Sequence, residues 1–343
     1  MSVIRDAAEA RAIYRAAGER GWVLPCFCSE NLTTTEAILT AAEEYRQAGG
    51  LDTVPIILAI TCRYDHRSQS VNYTQTRRWD TGLKLFTQDI KTLAEADGPF
   101  AHLQVMIHLD HIQHDLDKEL LEGDLGDYAS ILFDASGLPL EENIRKTAAF
   151  VRARGREIMV EGACDEIVDA TGNAHNALTT PENARRFKEM TGADLVVCNL
   201  GTEHRATGKD LQYHGEVSRA ICREIGPCIV LHGTSSVPNE QVRRLYADGV
   251  CKVNIWTALE RDASPGLFAD MVRHAGRVAD EETLRRLIAE GLLTEKADDG
   301  GAVNIGYFTT LYRQTLVFEH MKNAVREYLN MWYGEPSPAA HSA

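Results

Sequence analysis

The sequence alternates short apolar segments with amphipathic ones, and this alternation repeats eight times along the chain. The apolar segments are rich in Val, Ile and Leu, which is typical of strands buried on both faces of a parallel sheet. They span Val23–Phe27, Pro55–Thr61, Val105–Leu109, Ser130–Phe133, Ile158–Gly162, Leu195–Asn199, Cys228–Leu231 and Val250–Asn254. Because a helix is predicted after each strand, we predict an α/β fold, a (β/α)8 TIM barrel.

A doubly wound parallel sheet is the alternative interpretation of the same alternation, but no predicted strand is followed by the GxGxxG turn of that class. No internal repeat and no linker divides the chain, so we predict a single domain over residues 1–334. Extra helices are expected after the eighth strand, over about 267–334. The tail 335–343 is rich in Pro, Ser and Ala and is expected to be loose.

The charge balance and hydropathy exclude several classes of protein. Lys and Arg number 36 against 50 Asp and Glu, a net charge of -14 that disfavours binding to nucleic acid. No apolar run reaches the roughly 18 residues needed to cross a membrane, and no secretory signal is expected. The sequence therefore indicates a cytoplasmic protein whose eight cysteines are reduced.

Three histidines follow three different predicted strands at their carboxyl ends: His111, His204 and His232. In a parallel barrel, functional residues gather at this end. One such histidine alone would more often be a loop or capping residue. Three imidazoles leave an open position on a zinc ion, as a catalytic site requires. The adjacent Asp110 cannot easily coordinate from the same direction, so we expect it to transfer protons.

Polar residues also follow the seventh and eighth predicted strands. Gly233 and Ser235 lie in a small-residue loop before a predicted helix, where free N–H groups suit a phosphate or a carboxylate. Asn254 can bond to substrate hydroxyls, and Thr257 lies at a predicted helix start. A capping role is the alternative at each of these positions.

The segment after the fifth predicted strand, residues 164–179, is long and polar, as active-site lids often are. It carries Asp165, Glu166 and Asp169, any of which could serve as a second proton-transfer group. A solvated surface loop is the alternative interpretation, and the sequence does not choose among the three acids.

An ordered series of motifs resembles the class II, metal-dependent ketose-bisphosphate aldolases, which include fructose- and tagatose-bisphosphate aldolases. The matching segments are Leu24-Pro25, Asn31-Leu32-Thr33, His108-Leu109-Asp110-His111, Phe133-Asp134, Leu138-Pro139-Leu140-Glu141-Glu142-Asn143, Gly201-Thr202, His204, Leu231-His232-Gly233 and Lys252-Val253-Asn254. The resemblance implies a TIM barrel that forms homodimers or homotetramers. It further implies one zinc ion, or another divalent metal, on the three histidines and proton transfer by Asp110. Around the donor ketone and its phosphate it implies Gly233, Ser235, Asn254 and Thr257.

The chain departs from the family pattern at several positions near the expected substrate. Cys28 stands where the family has Asn, Thr61 where it has Ser, and Arg205 where it has Gly. The usual Gly-Gly-Ser-Gly is Gly233-Thr234-Ser235-Ser236, Trp256 replaces a small or acidic residue, and Ala163 replaces an acid. Arg205 could pair with a carboxylate or phosphate. We therefore predict the same chemistry on a different substrate, with Thr61 and Arg205 among the substrate contacts.

The predicted reaction is reversible retro-aldol cleavage of a ketose phosphate or related keto-sugar through a zinc-stabilised enediolate. One alternative is a non-catalytic protein that binds zinc or a sugar phosphate. Another is an aldolase that forms a Schiff base through Lys252, which shares a strand face with Asn254.

Overall fold

The structure is a computed structural model that describes residues 3–167, 177–298 and 300–334. In these ranges the strands are β1 (Val3–Ile4), β2 (Leu24–Cys28), β3 (Val54–Thr61), β4 (Leu103–Gln113), β5 (Ser130–Asp134), β6 (Met159–Ala163), β7 (Leu195–Val197), β8 (Ile229–Leu231) and β9 (Val250–Ile255). The predicted tail 335–343 lies outside the described residues.

The helices of the described ranges are α1 (Ala7–Glu19), α2 (Leu32–Ala48), α3 (Gln69–Asn72), α4 (Trp79–Ala94), α5 (Lys118–Glu122), α6 (Leu140–Arg154), α7 (Pro181–Thr191), α8 (Gly215–Ile225), α9 (Asn239–Val242), α10 (Thr257–Arg273), α11 (Ala275–Val278), α12 (Glu281–Ala289), α13 (Ile305–Phe308) and α14 (Thr310–Tyr333). Short 3-10 turns cover Thr234–Ser236, Leu245–Asp248 and Glu295–Ala297.

Eight parallel strands, β2 to β9, close into a barrel. Each of them pairs with its neighbour in chain order, β2 pairs with β9, and β4 also pairs with β5, so the ring has no open edge. The strands are almost wholly buried because the barrel interior covers one face and the helices the other. The predicted TIM barrel with extra C-terminal helices is confirmed.

Two elements at the N-terminus were not predicted, namely β1 and α1. β1 adds to β4, with Val3 opposite Val105, below the level where β5 begins. The side chain of Arg11 on α1 bonds to Asp194 and to the carbonyl of Gly155, both of which precede barrel strands. Helix α1 therefore lies across the N-terminal mouth of the barrel, and the opposite mouth stays open for a site.

A helix predicted over Asn239–Asp248 is shorter in the structure. It breaks into α9 and the 3-10 turn Leu245–Asp248, which ends at Gly249 in the left-handed region, with a φ of 85°. A side chain at position 249 would strike Cys222, whose Sγ would lie 2.4 Å from the added Cβ. The glycine therefore lets the chain turn tightly into β9 against α8.

The long helix α14 packs on α2 and α10 beside the barrel. Its buried residues Met321, Val325, Leu329 and Trp332 are spaced by three or four positions and form one face. Tyr333 stacks on Trp22, with 4.4 Å between the ring centroids. Helix α14 thus joins the main core by this apolar face.

Candidate active site

One cavity at the carboxyl ends of the barrel strands is lined by the ten residues predicted as catalytic, metal-binding or substrate-binding. Its empty volume is about 550 Å³. The predicted residues that line it are Thr61, Asp110, His111, His204, Arg205, His232, Gly233, Ser235, Asn254 and Thr257. They come from five different strand ends, so the barrel brings together residues that are almost 200 positions apart in the chain.

A bulge in β4 turns two neighbouring residues into this cavity. Side chains alternate along a strand, so Asp110 and His111 should point to opposite faces. The register of β4 against β5 shifts between Leu109 and Ile112, and His111 adopts a φ of 46°. The irregularity brings the imidazole to the same mouth of the barrel as the carboxylate, as bulges near active sites often do.

The ring of His111 is oriented by a carboxylate from the next strand. Its Nδ1 lies 2.6 Å from Oδ2 of Asp134, and that carboxylate also accepts bonds from Gln113 and Ser136. Burial acts to lower the pKa of His111, but Asp110 and Asp134 raise it overall. The bond to Asp134 fixes the orientation of the ring and leaves Nε2 directed elsewhere.

The three predicted histidines form a cluster that fits a metal ion. Each offers one ring nitrogen, and these atoms all lie within 4.8 Å of one another. Nε2 of His111 is 3.1 Å from Nδ1 of His232. The Nε2 atom of His232 is buried and has no hydrogen-bond partner among the described residues. Burial also lowers the pKa of His232 well below its usual value, although Asp110 opposes this, so the ring is in its neutral, metal-binding form.

Asp110 lies beside this cluster and is only 4% exposed. Asn254 donates from Nδ2 to Oδ1 over 2.9 Å, and the Cys28 thiol lies 3.6 Å from Oδ2. Burial acts to raise the pKa of Asp110, but the imidazoles of His111 and His108 hold it well below its usual range. An ionised, oriented and largely buried carboxylate can act as a base.

The loop after β8 places small residues against the same cavity. Gly233 has a φ of 68°, and a Cβ there would lie 2.7 Å from the backbone of Glu203, so only glycine fits. Residues Thr234–Ser236 form the 3-10 turn that follows. The hydroxyl of Thr234 is buried and has no partner among the described residues.

The loop after β3 carries cavity residues that the sequence analysis missed: Tyr64, His66, Arg67 and Gln69. Tyr64 stacks on His111 with ring centroids 4.4 Å apart, and its hydroxyl is 3.3 Å from Nδ1 of His204. Their position directly after a strand was the available signal.

A cation and an aromatic ring form one wall of the cavity. The guanidinium of Arg67 makes two bonds of 2.5 Å to Glu30 and lies 4.5 Å from the ring centroid of Trp256. Bidentate pairing and stacking together fix the orientation of this guanidinium. Trp256 directly precedes α10 and provides no side-chain cap for it.

Thr61 and Arg205 were both predicted as substrate contacts, and both line the cavity. The hydroxyl of Thr61 accepts the N–H of Gln69 over 2.9 Å and donates to the carbonyl of Arg67. It thereby holds the base of the β3 loop. Arg205 lines the cavity from a left-handed backbone conformation, with a φ of 55°.

The predicted lid acids are not brought to the site within the described part of the chain. Neither Asp165 nor Glu166 lines the cavity. Asp169 lies outside the described residues.

Lys252 is enclosed below the cavity and does not line it. Its Nζ lies 2.7 and 2.9 Å from the two oxygens of Glu161 and 3.0 Å from Nε2 of His108. Burial acts to lower the pKa of Lys252, but the surrounding acidic groups raise it overall. Because Schiff-base formation needs an accessible neutral amine, the structure does not favour that alternative.

Comparison with known proteins agrees with this geometry. A sequence model described as fructose-bisphosphate aldolase class-II matches residues 8–328. A fructose-bisphosphate aldolase from Thermus caldophilus is 31% identical over 248 residues, which cover 69% of this chain and 72% of that protein. The chain therefore belongs to the class II fructose-bisphosphate aldolase family and is an aldolase, a carbon–carbon lyase. Membership in this family does not favour the non-catalytic alternative.

Two solved structures share the fold at low sequence identity. The fructose-bisphosphate aldolase of Campylobacter jejuni has a TM-score of 0.74 and 16% identity, with 96% of each chain covered. The YdjI aldolase of Escherichia coli K12 has a TM-score of 0.61 and 18% identity, over 95% of this chain and 96% of that one. None of the helices in the described ranges combines the length and apolar character that crossing a membrane requires.

Proposed function

We propose that this aldolase is metal-dependent and cleaves a ketose phosphate or related keto-sugar reversibly, with zinc on His111, His204 and His232. The observation that carries the proposal is the convergence of three imidazoles, with nitrogen atoms within 4.8 Å of one another. Three histidine ligands leave a position open for substrate, as in catalytic zinc sites. A bound ion would supply an electrophile for the oxygen that becomes negative as the carbon–carbon bond breaks.

Asp110 is the base in this proposal. Cleavage requires a proton to leave the hydroxyl on the carbon of the breaking bond that becomes the aldehyde, and an ionised carboxylate can accept it. Asn254 donates its amide N–H to Asp110. The other polar atom of the same amide, Oδ1 of Asn254, accepts hydrogen bonds. That oxygen is buried and has no partner in the described ranges, so a substrate hydroxyl could donate to it.

The loop after β8 and the start of α10 suit the anionic end of a substrate. Ser235 and Thr257 line the cavity together with Gly233. Thr257 begins α10, a helix of 17 residues whose first turn has no side-chain cap. The uncapped N–H groups and the helix dipole favour a phosphate at this end.

Several contacts support a substrate different from fructose bisphosphate. Trp256 and Arg67 are bulky residues that stack on each other at the cavity wall, and Glu30 compensates the charge of Arg67. Thr234 adds a methyl group and an unpartnered hydroxyl to the loop after β8. Arg205 adds a cation at the same cavity. These side chains change both the volume and the hydrogen-bond pattern that a substrate meets, which governs discrimination between substrates.

A homodimer or homotetramer is also proposed. The C-terminal helices expose large apolar side chains that a monomer would leave in water: Phe268 is 73% exposed, and Ile305 and Leu311 are each 71% exposed. Large apolar side chains this exposed are typical of surfaces that contact another protein chain. Replacing Leu311 with Glu should shift the mass measured by light scattering to a smaller species, whereas an unchanged mass would place the contact elsewhere.

We propose the cytoplasm as the site of action. All eight cysteines are free, as expected in a reducing compartment. Cell fractionation tests this location, and recovery of the protein in the periplasmic or secreted fraction would contradict it.

A screen of ketose mono- and bisphosphates and non-phosphorylated keto-sugars for retro-aldol cleavage tests the function directly. We expect cleavage that a chelator abolishes and added zinc restores. Cleavage that resists complete metal removal would contradict the metal-dependent mechanism. Trapping of a substrate adduct by borohydride would instead support Lys252. Stabilisation by ligands without turnover would support a binding protein.

A further inference from the structure

A cysteine touches the carboxylate that the proposed mechanism uses as its base. Cys28 is the last residue of β2, lines the cavity and is 3% exposed. Its Sγ lies 3.6 Å from Oδ2 of Asp110, while the other oxygen, Oδ1, accepts the amide of Asn254. The carboxylate is therefore held at both oxygens, by one strong donor and one weak donor.

The direction of the weaker bond follows from chemistry. The S–H group is a weak donor and the carboxylate oxygen an acceptor, so Cys28 donates to Oδ2 of Asp110. Burial and the nearby Asp110 raise the pKa of Cys28 well above its usual value, which keeps the thiol protonated. An S–H group donates more weakly than an amide, so it can orient Oδ2 while removing little of its basicity.

We infer that Cys28 is a positioning residue for proton transfer, which directs Oδ2 of Asp110 towards the substrate hydroxyl. This inference rests on the proposed role of Asp110. Oδ2 is the oxygen that takes the proton because Oδ1 already accepts the stronger bond from Asn254. Loss of the thiol should therefore slow the chemical step and leave substrate binding almost unchanged.

The chain offers a matched control on the same strand. Cys26 lies two residues before Cys28, so the two side chains point to the same face of β2. Cys26 is fully buried and free, and it does not line the cavity. Cys26→Ala therefore removes a buried thiol from the same strand without touching the carboxylate.

The experiment measures kcat, KM, metal content and thermal midpoint for the metal-loaded enzyme and five variants. These are Cys28→Ala, Cys28→Ser, Cys26→Ala, Asp110→Asn and the double variant Cys28→Ala/Asp110→Asn. Cys28→Ala should lower kcat by about fivefold to twentyfold, which is less than for a full-strength bond to a charged group because the thiol is a weak donor, with KM within about twofold. Cys28→Ser keeps a donor on a shorter bond and should fall between the parent and Cys28→Ala. Cys26→Ala should keep the parent kcat.

The double variant decides whether Cys28 acts through Asp110. If it does, Cys28→Ala should cost nothing further once Asp110 is Asn, because coupled residues are not additive. An equal fold-loss in both backgrounds, or equal kcat values for the two Cys→Ala variants, overturns the inference and leaves the proposed function standing. A parent-like kcat for Asp110→Asn overturns both. If Cys28→Ala does not fold, Cys28→Val, which fills a similar space without a donor, carries the test, and a parent-like kcat for it with Asp110 intact overturns the inference.

Discussion

Two layers of polar side chains lie one above the other inside this barrel, and they differ in how many of their buried polar atoms have a hydrogen-bond partner. The upper layer contains Asp110 and His111 on β4, His232 after β8 and Asn254 on β9, and it lines the cavity. The lower layer contains His108 and Lys252, which lie two residues before Asp110 and Asn254 on the same two strands, and Glu161 on β6. Each pair shares a strand face, so only depth along the barrel separates the layers.

The lower layer is internally complete. Lys252 bonds to both oxygens of Glu161 and to His108, whose other ring nitrogen lies 2.8 Å from the hydroxyl of Ser130. The upper layer leaves Oδ1 of Asn254 and Nε2 of His232 buried and unpartnered among the described residues. A buried polar atom without a partner costs about 1–3 kcal/mol. The comparison indicates that the lower layer is scaffold and that a ligand completes the upper layer.

The largest effect should come from removing a histidine of the upper layer. His232→Ala should lose the bound metal and with it all measurable aldol cleavage, because two imidazoles hold a divalent ion poorly. Metal content by plasma mass spectrometry and turnover are the two measurements. The exposed His102→Ala serves as control. Full metal occupancy in His232→Ala would show that the upper layer does not bind the metal.

The next effect tests the base. Asp110→Asn keeps the shape of the side chain and should lower kcat by about 10²–10⁴-fold, the usual contribution of general acid–base catalysis. Metal content should stay at the parent level because the three histidines are intact. Asp115→Asn, whose side chain is 58% exposed, is the matched control. Turnover close to the parent in Asp110→Asn would mean that another group takes the proton.

The third prediction concerns the stability of the lower layer. Lys252→Met leaves Glu161 buried without its partner and should destabilise the fold by about 3–5 kcal/mol. The double variant Lys252→Met/Glu161→Leu removes both charges and should recover much of that loss. Urea unfolding monitored by circular dichroism measures both. If Lys252→Met unfolds at the same urea concentration as the parent, the lower layer does not stabilise the fold.

A smaller effect is expected from a residue that supports the upper layer from outside. Asp134→Asn weakens the bond that orients His111 and should lower metal affinity about 10- to 100-fold. Competition with a chromophoric chelator measures the affinity. Ser136→Ala removes one donor to the same carboxylate and should change the affinity less. Equal affinities for Asp134→Asn and the parent would show that the ring is oriented by its packing alone.

Much of the fold could be predicted because a parallel barrel repeats one simple pattern. All eight barrel strands were predicted to within a few residues, since strands buried on both faces must be apolar. The same reasoning missed β1 and α1, where a strand of two residues carries almost no pattern. It also predicted one helix over Asn239–Asp248, because periodicity does not show where a chain tightens to turn towards the next strand.

The site was predictable where chemistry is concentrated in one residue type. Histidines directly after strand ends pointed to a metal cluster, and all ten predicted residues line the one cavity described. Arg67 and Tyr64 carried no comparable signal because the conformation of their loop depends on contacts with Thr61 and Glu30. In the sequence, Asp134 is visible only as part of a motif shared with the family, and its bond to His111 was not predicted.

The order of residues alone determined the barrel, since eight buried strands separated by helices can close in few other ways. It also determined which strand ends carry imidazoles and a carboxylate. Only the tertiary structure decided that Asp110 and His111 face the same mouth, because this needs the bulge in β4 against β5. Only the tertiary structure showed that Lys252 has a scaffold role and Asn254 a site role. Lys252 is paired with Glu161 in the packed interior, whereas Oδ1 of Asn254 has no partner among the described residues.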